Sequence, residues 1–157
     1  METSNFELRQ IGTVRRTETQ IRLEIAEPYR PAMRLLDHFS HVLVFWWANG
    51  LDDDDWRQML LTDPPYAPGH ICGVFATRAP YRPNPIAVTA CRILEMDESA
   101  GSLVVDNIDA LNGTPIVDLK AYFPVCDRVR DARIPAWLED WPEWVPDEGL
   151  GLEEYEQ

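Results

Sequence analysis

The stretch Gly73-Val-Phe-Ala-Thr-Arg-Ala-Pro-Tyr-Arg-Pro-Asn-Pro-Ile-Ala87 decides how the centre of this chain can fold. Proline fixes φ and donates no backbone hydrogen bond, so the three prolines of the stretch exclude a helix. Each proline also holds the residue before it in extended geometry. The stretch therefore predicts a stiff, extended loop that presents three polar side chains at fixed positions: Arg78, Arg82 and Asn84.

The side chains of this loop favour the binding of an anion. A guanidinium group matches carboxylate or phosphate oxygens two hydrogen bonds at a time. Ordering a loop that prolines already restrict loses little conformational entropy. The alternative is a proline-rich crossover whose arginines pair with some of the many acidic side chains of the chain.

Composition limits the function classes that are open. The chain has 157 residues with a net charge of −13, from 27 acidic and 14 basic side chains. This charge argues against a broad surface for DNA or for non-specific nucleic-acid binding. No apolar run approaches the ~20 residues that span a bilayer, and the N-terminus lacks the parts of a secretory signal. The three cysteines fit no zinc or disulfide pattern, so we expect reduced, buried thiols in a cytoplasmic protein.

Short β-type segments recur along the chain and are separated by turn signals. We predict strands over residues 8–15, 20–27, 41–47, 71–76, 86–96, 102–108 and 114–123, with the apolar segment 41–47 buried on both faces. A short helix is expected over 30–39, and another after the acidic run 52–55, which suits a helix start. The strands lack regular helical crossovers, so we predict a mainly β fold: a small antiparallel barrel of about seven strands with short inserted helices.

The C-terminal end differs in composition from the rest of the chain. Eight acidic and no basic residues follow Arg133, which indicates a solvated end. We expect a barrel domain over residues 1–133 and an acidic, tryptophan-containing extension over 134–157. Its tryptophans are interpreted as packing anchors and not as a platform for stacking bases: Trp137, Trp141 and Trp144.

Two further clusters carry chemistry. The first is the turn over residues 107–115, which contains Asp109 and exposed backbone donors. Aspartate also caps such turns locally, so a structural use of Asp109 stays open. The second is one face of the strand over 114–123, where Asp118, Lys120 and Tyr122 alternate with apolar residues. A Lys–Asp pair with a tyrosine can bind a substrate or hold the barrel together, and both alternatives stay open.

These motifs resemble the TrmO family, also called TsaA-like or YaeB. The resemblance rests on Phe-Ser-His-Val over 39–42, on the stretch 73–86 and on Gly-Thr-Pro-x-x-Asp-x-Lys over 113–120. It covers roughly residues 8 to 130. It implies an S-adenosylmethionine-dependent methyltransferase on a small β-barrel that methylates N6 of threonylcarbamoyl-adenosine beside the anticodon of transfer RNA. It also implies a homodimer with the cofactor near the subunit interface.

The resemblance further implies residue roles. Arg78 pairs with the cofactor carboxylate or with an acceptor phosphate. The other residues implied for the cofactor site are Arg82, Asn84, Pro85, Asn49 and the loop residues Ile108, Asp109, Ala110 and Leu111. The catalytic set, which supports the pocket or positions the accepting nitrogen, is Asp118, Lys120 and Tyr122. No metal is implied.

The chain departs from the family pattern at several positions. It has Ala79, Ala87, Asn112 and Ala121 where the family usually has Ser, Gly, Asp and Pro, and Asn49 where the family has a histidine. These departures leave the acceptor open. A small-molecule methyltransferase suits the acidic charge, and a non-catalytic S-adenosylmethionine-binding module would keep the barrel without an acceptor pocket.

Overall fold

The computed structural model describes residues 4–146. The chain divides into two compact units. The barrel unit contains the residues up to Asn49 and Ile86–Ala121, and the loop unit contains Gly50–Pro85 and the residues from Tyr122 onward. The domain boundary after residue 133 stays a prediction.

The described part contains eight strands and several short helices. In chain order the strands are β1 Gly12–Arg16, β2 Ile21–Ile25, β3 His41–Trp47, β4 Leu61–Thr62, β5 Cys72–Gly73, β6 Ile86–Asp97, β7 Ser102–Val105 and β8 Pro115–Ala121. The α-helices are α1 Asp54–Arg57 and α2 Pro124–Asp127. The 3-10 helices are Glu27–Met33, Leu36–His38, Asn49–Leu51, Val74–Ala76 and Ala136–Leu138.

Six strands close into an antiparallel barrel in the order β1-β2-β7-β6-β3-β8. Their inward side chains form one apolar core because alternate residues of a strand point to the same face. In β3, Val42, Val44 and Trp46 are buried while the residues between them are half-buried. The mainly β, antiparallel, closed architecture is therefore confirmed. The expectation that β3 is buried on both faces is wrong, since only one of its faces meets the core.

The barrel has six strands where about seven were expected. The difference lies in residues 71–76, which were expected to form one strand. Only Cys72–Gly73 pairs, and it pairs with Leu61–Thr62 in a separate two-stranded sheet of the loop unit. The strand ends at Gly73 because the next residues, Val74–Ala76, form a 3-10 helix. In this helix the Thr77 amide donates to the Val74 carbonyl.

The helix expected over 30–39 is also wrong. Two 3-10 helices occupy this region, and they are separated by Leu35, which has a φ of 65°. Pro31 lies inside the first of them. Because proline lacks the amide that an α-helix needs there, and a left-handed residue breaks the helical path, no continuous α-helix forms.

A bulge in β8 decides which of its side chains face the core. The pairing with β3 shifts so that Phe45 lies opposite Asp118 and Trp46 lies opposite Ile116. The extra residue between these pairs lets both Ile116 and Leu119 pack against the core. Asp118 and Lys120 consequently point outward, away from the core. Phe123 lies two residues beyond the end of β8 at Ala121 and is exposed.

The acidic run 52–55 begins a helix, as interpreted from its charge. The side chain of Asp53 accepts a hydrogen bond from the Trp56 amide and so caps α1. Asp52 pairs with Arg57 at 2.6 Å. Among residues 4–146, no group of three or more His, Cys, Asp or Glu side chains could hold a metal ion. Within the same range, none of the helices has the length and apolar character needed to cross a bilayer.

The cysteines differ in burial and should differ in reactivity. All three are free thiols, but only Cys91 is buried, whereas Cys72 is half-buried and Cys126 is exposed. The expectation of three buried thiols is therefore wrong, because α2 carries Cys126 on the surface. Burial, and then the charges of Asp106 and Asp109, raise the pKa of the Cys91 thiol.

We expect a thiol reagent at pH 8 to label Cys126 first, because the thiolate is the nucleophile and must be accessible. Cys91 should react only when the barrel unfolds. Stopped-flow labelling with an aromatic disulfide measures the phases, and Cys126→Ser should remove the fastest one. Labelling of Cys91 at the rate of Cys126 in the folded protein would contradict this burial.

Candidate active site

The arginine loop, residues 77–85, is held by hydrogen bonds of its own unit. Thr77 is buried, and its hydroxyl donates to the Val74 carbonyl at 2.9 Å and accepts from the Ala79 amide at 3.1 Å. The guanidinium of Arg82 donates to the same Val74 carbonyl at 3.2 Å. These bonds fix the start of the loop, so its predicted stiffness has a structural cause beyond its prolines.

The middle and end of the arginine loop are fixed as well. The hydroxyls of Tyr81 and Thr62 lie 2.6 Å apart, and the ring of Tyr81 lies 5.6 Å from that of Trp56. Arg57 donates to the carbonyl of Pro83 at 3.3 Å. Pro85 is fully buried at the end of the loop. A buried proline anchors the loop by packing and leaves little of its own surface for a ligand.

The two arginines of the loop have different surroundings. Arg82 is half-buried and bonded to the turn, whereas Arg78 is exposed, and no hydrogen bond or ion pair joins Arg78 to another residue of the described part. Asn84 is exposed too. Arg78 is therefore the cation of this loop that is available to an anionic ligand, and Arg82 also has a structural use.

In the barrel unit, the loop that joins β7 to β8, residues 106–114, contains the second group of candidates. The side chains of Ile108 and Ala110 are fully buried in the core, whereas Asp109 is half-buried and Leu111 is 65% exposed. The side chains of Ile108 and Ala110 therefore cannot reach a ligand. The groups that this loop offers are its backbone, Asp109 and the side chain of Leu111.

Asp118 and Lys120 form an ion pair on the outer face of β8. The Lys120 Nζ atom lies 2.6 Å from Asp118 Oδ2 and 5.6 Å from the ring centroid of Phe45, and Asp118 Oδ1 accepts from the Leu119 amide at 2.9 Å. Their side chains are 48% and 60% exposed. An exposed ion pair contributes only about 0–1 kcal/mol to stability, so holding the barrel together is not a sufficient reason for it.

The remaining two candidates lie at boundaries of the barrel unit. Asn49 is exposed and begins the 3-10 helix Asn49–Leu51. Tyr122 follows the last residue of β8, is half-buried and belongs to the loop unit. The structure thus brings Asp118 and Lys120 together, and it places Arg78, Arg82, Asn84 and Pro85 on one loop.

The tryptophans of the C-terminal segment pack within the loop unit. Trp137 stacks on His70 at 5.0 Å, and Trp141 lies 5.0 Å from Tyr66. Trp144 lies under the guanidinium of Arg128 at 5.2 Å. Trp144 is nevertheless 63% exposed, so the interpretation of all three as packing anchors stays a prediction. Residues 147–157 of the predicted acidic extension lie outside the described residues.

Sequence reasoning missed two side chains that order these loops. Arg16 donates to two carbonyls of the β7–β8 loop, and Arg57 donates to the arginine loop. Both look like ordinary surface arginines in the sequence. The partners of Arg16 are more than 90 residues away along the chain, and no local pattern encodes such a contact.

The geometry defines a class of protein first. It is a closed antiparallel β-barrel, and every strand pair in the described part is antiparallel. The candidate ligand groups lie on two loops and on the outer face of β8. A more particular assignment follows from comparison with known proteins. The chain belongs to the family of the tRNA-methyltransferase O N-terminal domain, whose sequence model matches residues 6–128. This match confirms the resemblance found in the motifs.

Several relatives are similar over most of the chain. A probable S-adenosyl-L-methionine-binding protein of Archaeoglobus fulgidus is 32% identical over 148 residues, which cover 85% of this chain and 38% of that protein. The tRNA (adenine(37)-N6)-methyltransferase of Escherichia coli is 32% identical over 127 residues, covering 79% of this chain and 53% of that protein. The crystal structure of TrmO from P. aeruginosa superposes with a TM-score of 0.66 at 29% identity, covering 86% of this chain and 62% of that one. The chain therefore spans less than two thirds of the length of each of these relatives.

Proposed function

We propose that this protein is an S-adenosylmethionine-dependent methyltransferase that methylates N6 of threonylcarbamoyl-adenosine beside the anticodon of transfer RNA. The observation that carries the proposal is the family match over residues 6–128. The name of the Escherichia coli relative, a tRNA (adenine(37)-N6)-methyltransferase, supports the reaction and the acceptor. The name of the Archaeoglobus relative supports the cofactor.

The residues present fit such a cofactor. Arg78 is an exposed guanidinium on a loop whose conformation is already fixed. It suits the carboxylate of S-adenosylmethionine or a phosphate of the acceptor, since a guanidinium binds either bidentately. We assign Asn84 a direct polar contact with the cofactor, whereas Arg82 and Pro85 hold the loop in shape. Asn49 is exposed, so its side-chain amide is also available for a polar contact with the cofactor.

The β7–β8 loop is assigned to the adenine or ribose of the cofactor. Backbone groups around Asp109, together with the exposed side chain of Leu111, offer hydrogen bonds and apolar contact. Ile108 and Ala110 contribute through their backbone only, because their side chains lie in the core. Such a loop binds a ligand through its backbone groups and needs no charged side chain.

The outer face of β8 is assigned to the acceptor. Asp118 is held by Lys120 and by the Leu119 amide, so its carboxylate has a defined direction. We propose that Asp118 accepts a hydrogen bond from the nitrogen that is methylated and takes up the proton that this nitrogen loses as its bond to the methyl group forms. Lys120 and Tyr122 position the acceptor. When bound, S-adenosylmethionine supplies a methyl group on a sulfonium, which needs no further activation. The chain's own residues then have to align the acceptor and exclude water, which supplies about 7–11 kcal/mol as effective molarity.

Arg78→Ala should weaken the binding of S-adenosylmethionine or of the acceptor by about 1.5–3 kcal/mol, the range for hydrogen bonds to charged groups. Calorimetry with the cofactor and filter binding with transfer RNA distinguish which ligand Arg78 holds. Arg133→Ala is the matched control, since Arg133 is an exposed arginine of the same unit outside the arginine loop. Wild-type affinity of Arg78→Ala for both ligands would contradict its assigned role.

A small-molecule methyltransferase is the second candidate, and the net charge of −13 favours it. A polyanion such as transfer RNA meets repulsion from this charge unless contacts are few and local. We therefore expect the affinity for transfer RNA to depend only weakly on salt concentration. Each phosphate contact contributes ~0.7–0.9 to the slope of log K against log[salt], and we expect few such contacts. A metabolite acceptor meets no such repulsion.

The decisive experiment is methyl transfer from labelled S-adenosylmethionine to transfer RNA purified from a strain that lacks this protein. Methylated threonylcarbamoyl-adenosine in the digested RNA supports the proposal. Cofactor binding with transfer to a small metabolite and to no RNA would replace it with the second candidate. Cofactor binding with no transfer to either pool would favour a non-catalytic binding module.

We also propose that the protein acts as a homodimer in the cytoplasm, on RNA and not on DNA or at a membrane. The loop unit exposes large apolar side chains that a second copy would cover, among them Ile71 and Phe75, which is 79% exposed. Exposed apolar side chains that lie together in a patch often mark protein interfaces. Sedimentation equilibrium at micromolar concentration tests the dimer, and a monomer throughout would remove it.

A further inference from the structure

The β7–β8 loop is tied to β1 at its C-terminal end by backbone and side-chain hydrogen bonds. The Gly113 amide donates to the Val14 carbonyl at 2.8 Å, and the Val14 amide donates to the Thr114 carbonyl at 2.9 Å. The Arg16 amide donates to Asn112 Oδ1 at 2.9 Å. These three bonds place the end of the loop beside the last residues of β1.

The middle of the loop is held by one side chain. Arg16 Nη1 donates to the Ile108 carbonyl at 2.6 Å and to the Ala110 carbonyl at 3.0 Å. Arg16 itself is half-buried. Hydrogen bonds from a charged donor are roughly twice as strong as those between neutral groups. The planar guanidinium also fixes the directions of its donors, so two carbonyls bound to one nitrogen are fixed relative to each other.

Burial holds the same residues from the other side. The side chains of Ile108 and Ala110 are fully buried in the barrel core, while Leu111 is exposed. The loop is therefore clamped between the core and the Arg16 guanidinium, and Asp109 lies between the two clamped residues. A clamped loop has already lost the conformational freedom that ligand binding would otherwise remove.

We infer that Arg16 is a positioning residue that holds the β7–β8 loop in the conformation that binds the cofactor. The inference rests on the proposed function, which assigns this loop to the adenine or ribose. Without Arg16 the loop would populate other conformations, and the apparent affinity would fall by the fraction that stays competent. Arg16 does not need to touch the cofactor to have this effect.

The test compares Arg16→Ala with Arg16→Lys and with Arg15→Ala. Arg15 is the adjacent arginine of β1, and its side chain pairs with Glu24 at 2.8 Å on the barrel surface. Calorimetry with S-adenosylmethionine measures the Kd of each variant at least 15 °C below its thermal midpoint, about the margin that keeps unfolded protein negligible. Amide hydrogen exchange of the segment 107–113 without ligand measures the order of the loop.

We expect Arg16→Ala to raise the Kd about ten- to hundredfold, the equivalent of losing hydrogen bonds to a charged group. Its loop amides should exchange faster, and Arg15→Ala should match wild type in both measurements. Arg16→Lys should recover part of the affinity, because an ammonium keeps the charge but not the fork. It also serves as the second variant if Arg16→Ala does not fold.

A folded Arg16→Ala with a Kd within twofold of wild type overturns the inference and leaves the proposed function standing. Loss of thermal stability with unchanged Kd also overturns it, since that is the signature of a purely structural role. If wild type itself does not bind S-adenosylmethionine, the proposed function fails and the inference fails with it. These results are distinguishable, because the first two include a binding wild type.

Discussion

Leu23→Ala is expected to lower the free energy of unfolding by about 2–5 kcal/mol, the range for removing a large aliphatic side chain from a packed core. Leu23 is fully buried in β2, and the register pairs it with Val14 on β1 and Leu103 on β7, both also fully buried. The three side chains form one row across neighbouring strands. Truncating the middle member removes apolar contacts and leaves a cavity that its two neighbours cannot fill.

Urea denaturation followed by tryptophan fluorescence measures the change. Leu94→Ala is the matched control, because Leu94 lies on β6 of the same barrel and is 54% exposed. Its loss should stay within about 0.5 kcal/mol, as for most surface substitutions. Equal losses for the two variants would show that the row of Val14, Leu23 and Leu103 does not form the core.

Gly101→Ala is expected to lower the free energy of unfolding by a similar amount, about 2–5 kcal/mol, from two effects that add. Gly101 has a φ of +69°, and a left-handed alanine costs about 1–2 kcal/mol. A Cβ at this position would also overlap the Ile25 carbonyl oxygen and lie 2.6 Å from Arg30 Nε. Overpacking against a backbone atom costs about 1–3 kcal/mol more, because the strand carrying Ile25 has to move.

Gly113→Ala separates the two effects. Gly113 has a φ of +89°, but a Cβ there would meet no atom within 4 Å. It should therefore show only the conformational part, about 1–2 kcal/mol. Thermal and urea unfolding of both variants measure the difference. Gly101→Ala as mild as Gly113→Ala would mean that the turn after β6 does not approach Ile25 as closely as the structure has it.

Much of the barrel could be predicted from local patterns. The apolar run gave β3 with its observed bounds, and the turn before Ser102 correctly separated β6 from β7. Asp53 capped a helix as its charge indicated. These features depend on neighbours within a few residues, where periodicity and capping chemistry act directly.

The candidate site was predictable only in part. The prolines correctly excluded a helix from the arginine loop, and Arg78 is exposed as expected. The sequence did not predict that Arg82 also donates a hydrogen bond to the Val74 carbonyl. Asp118 and Lys120 do pair, but on an exposed face and not in a buried one. Burial depends on which strands cover a face, and no single segment carries that information.

The class of this protein can be predicted from local sequence alone: short alternating segments without helical crossovers make an antiparallel barrel, and one long motif identifies the family. How the loops are held depends on contacts that form when the chain folds. The tertiary structure placed Arg16 beside carbonyls 92 and 94 residues away, turned β8 by a bulge opposite Phe45 and Trp46, and moved Cys72–Gly73 out of the barrel. The difference follows from how far apart along the chain the interacting residues lie. Alternation, capping and proline geometry act between neighbours in the chain, whereas loop clamps and strand registers arise from closure of the barrel.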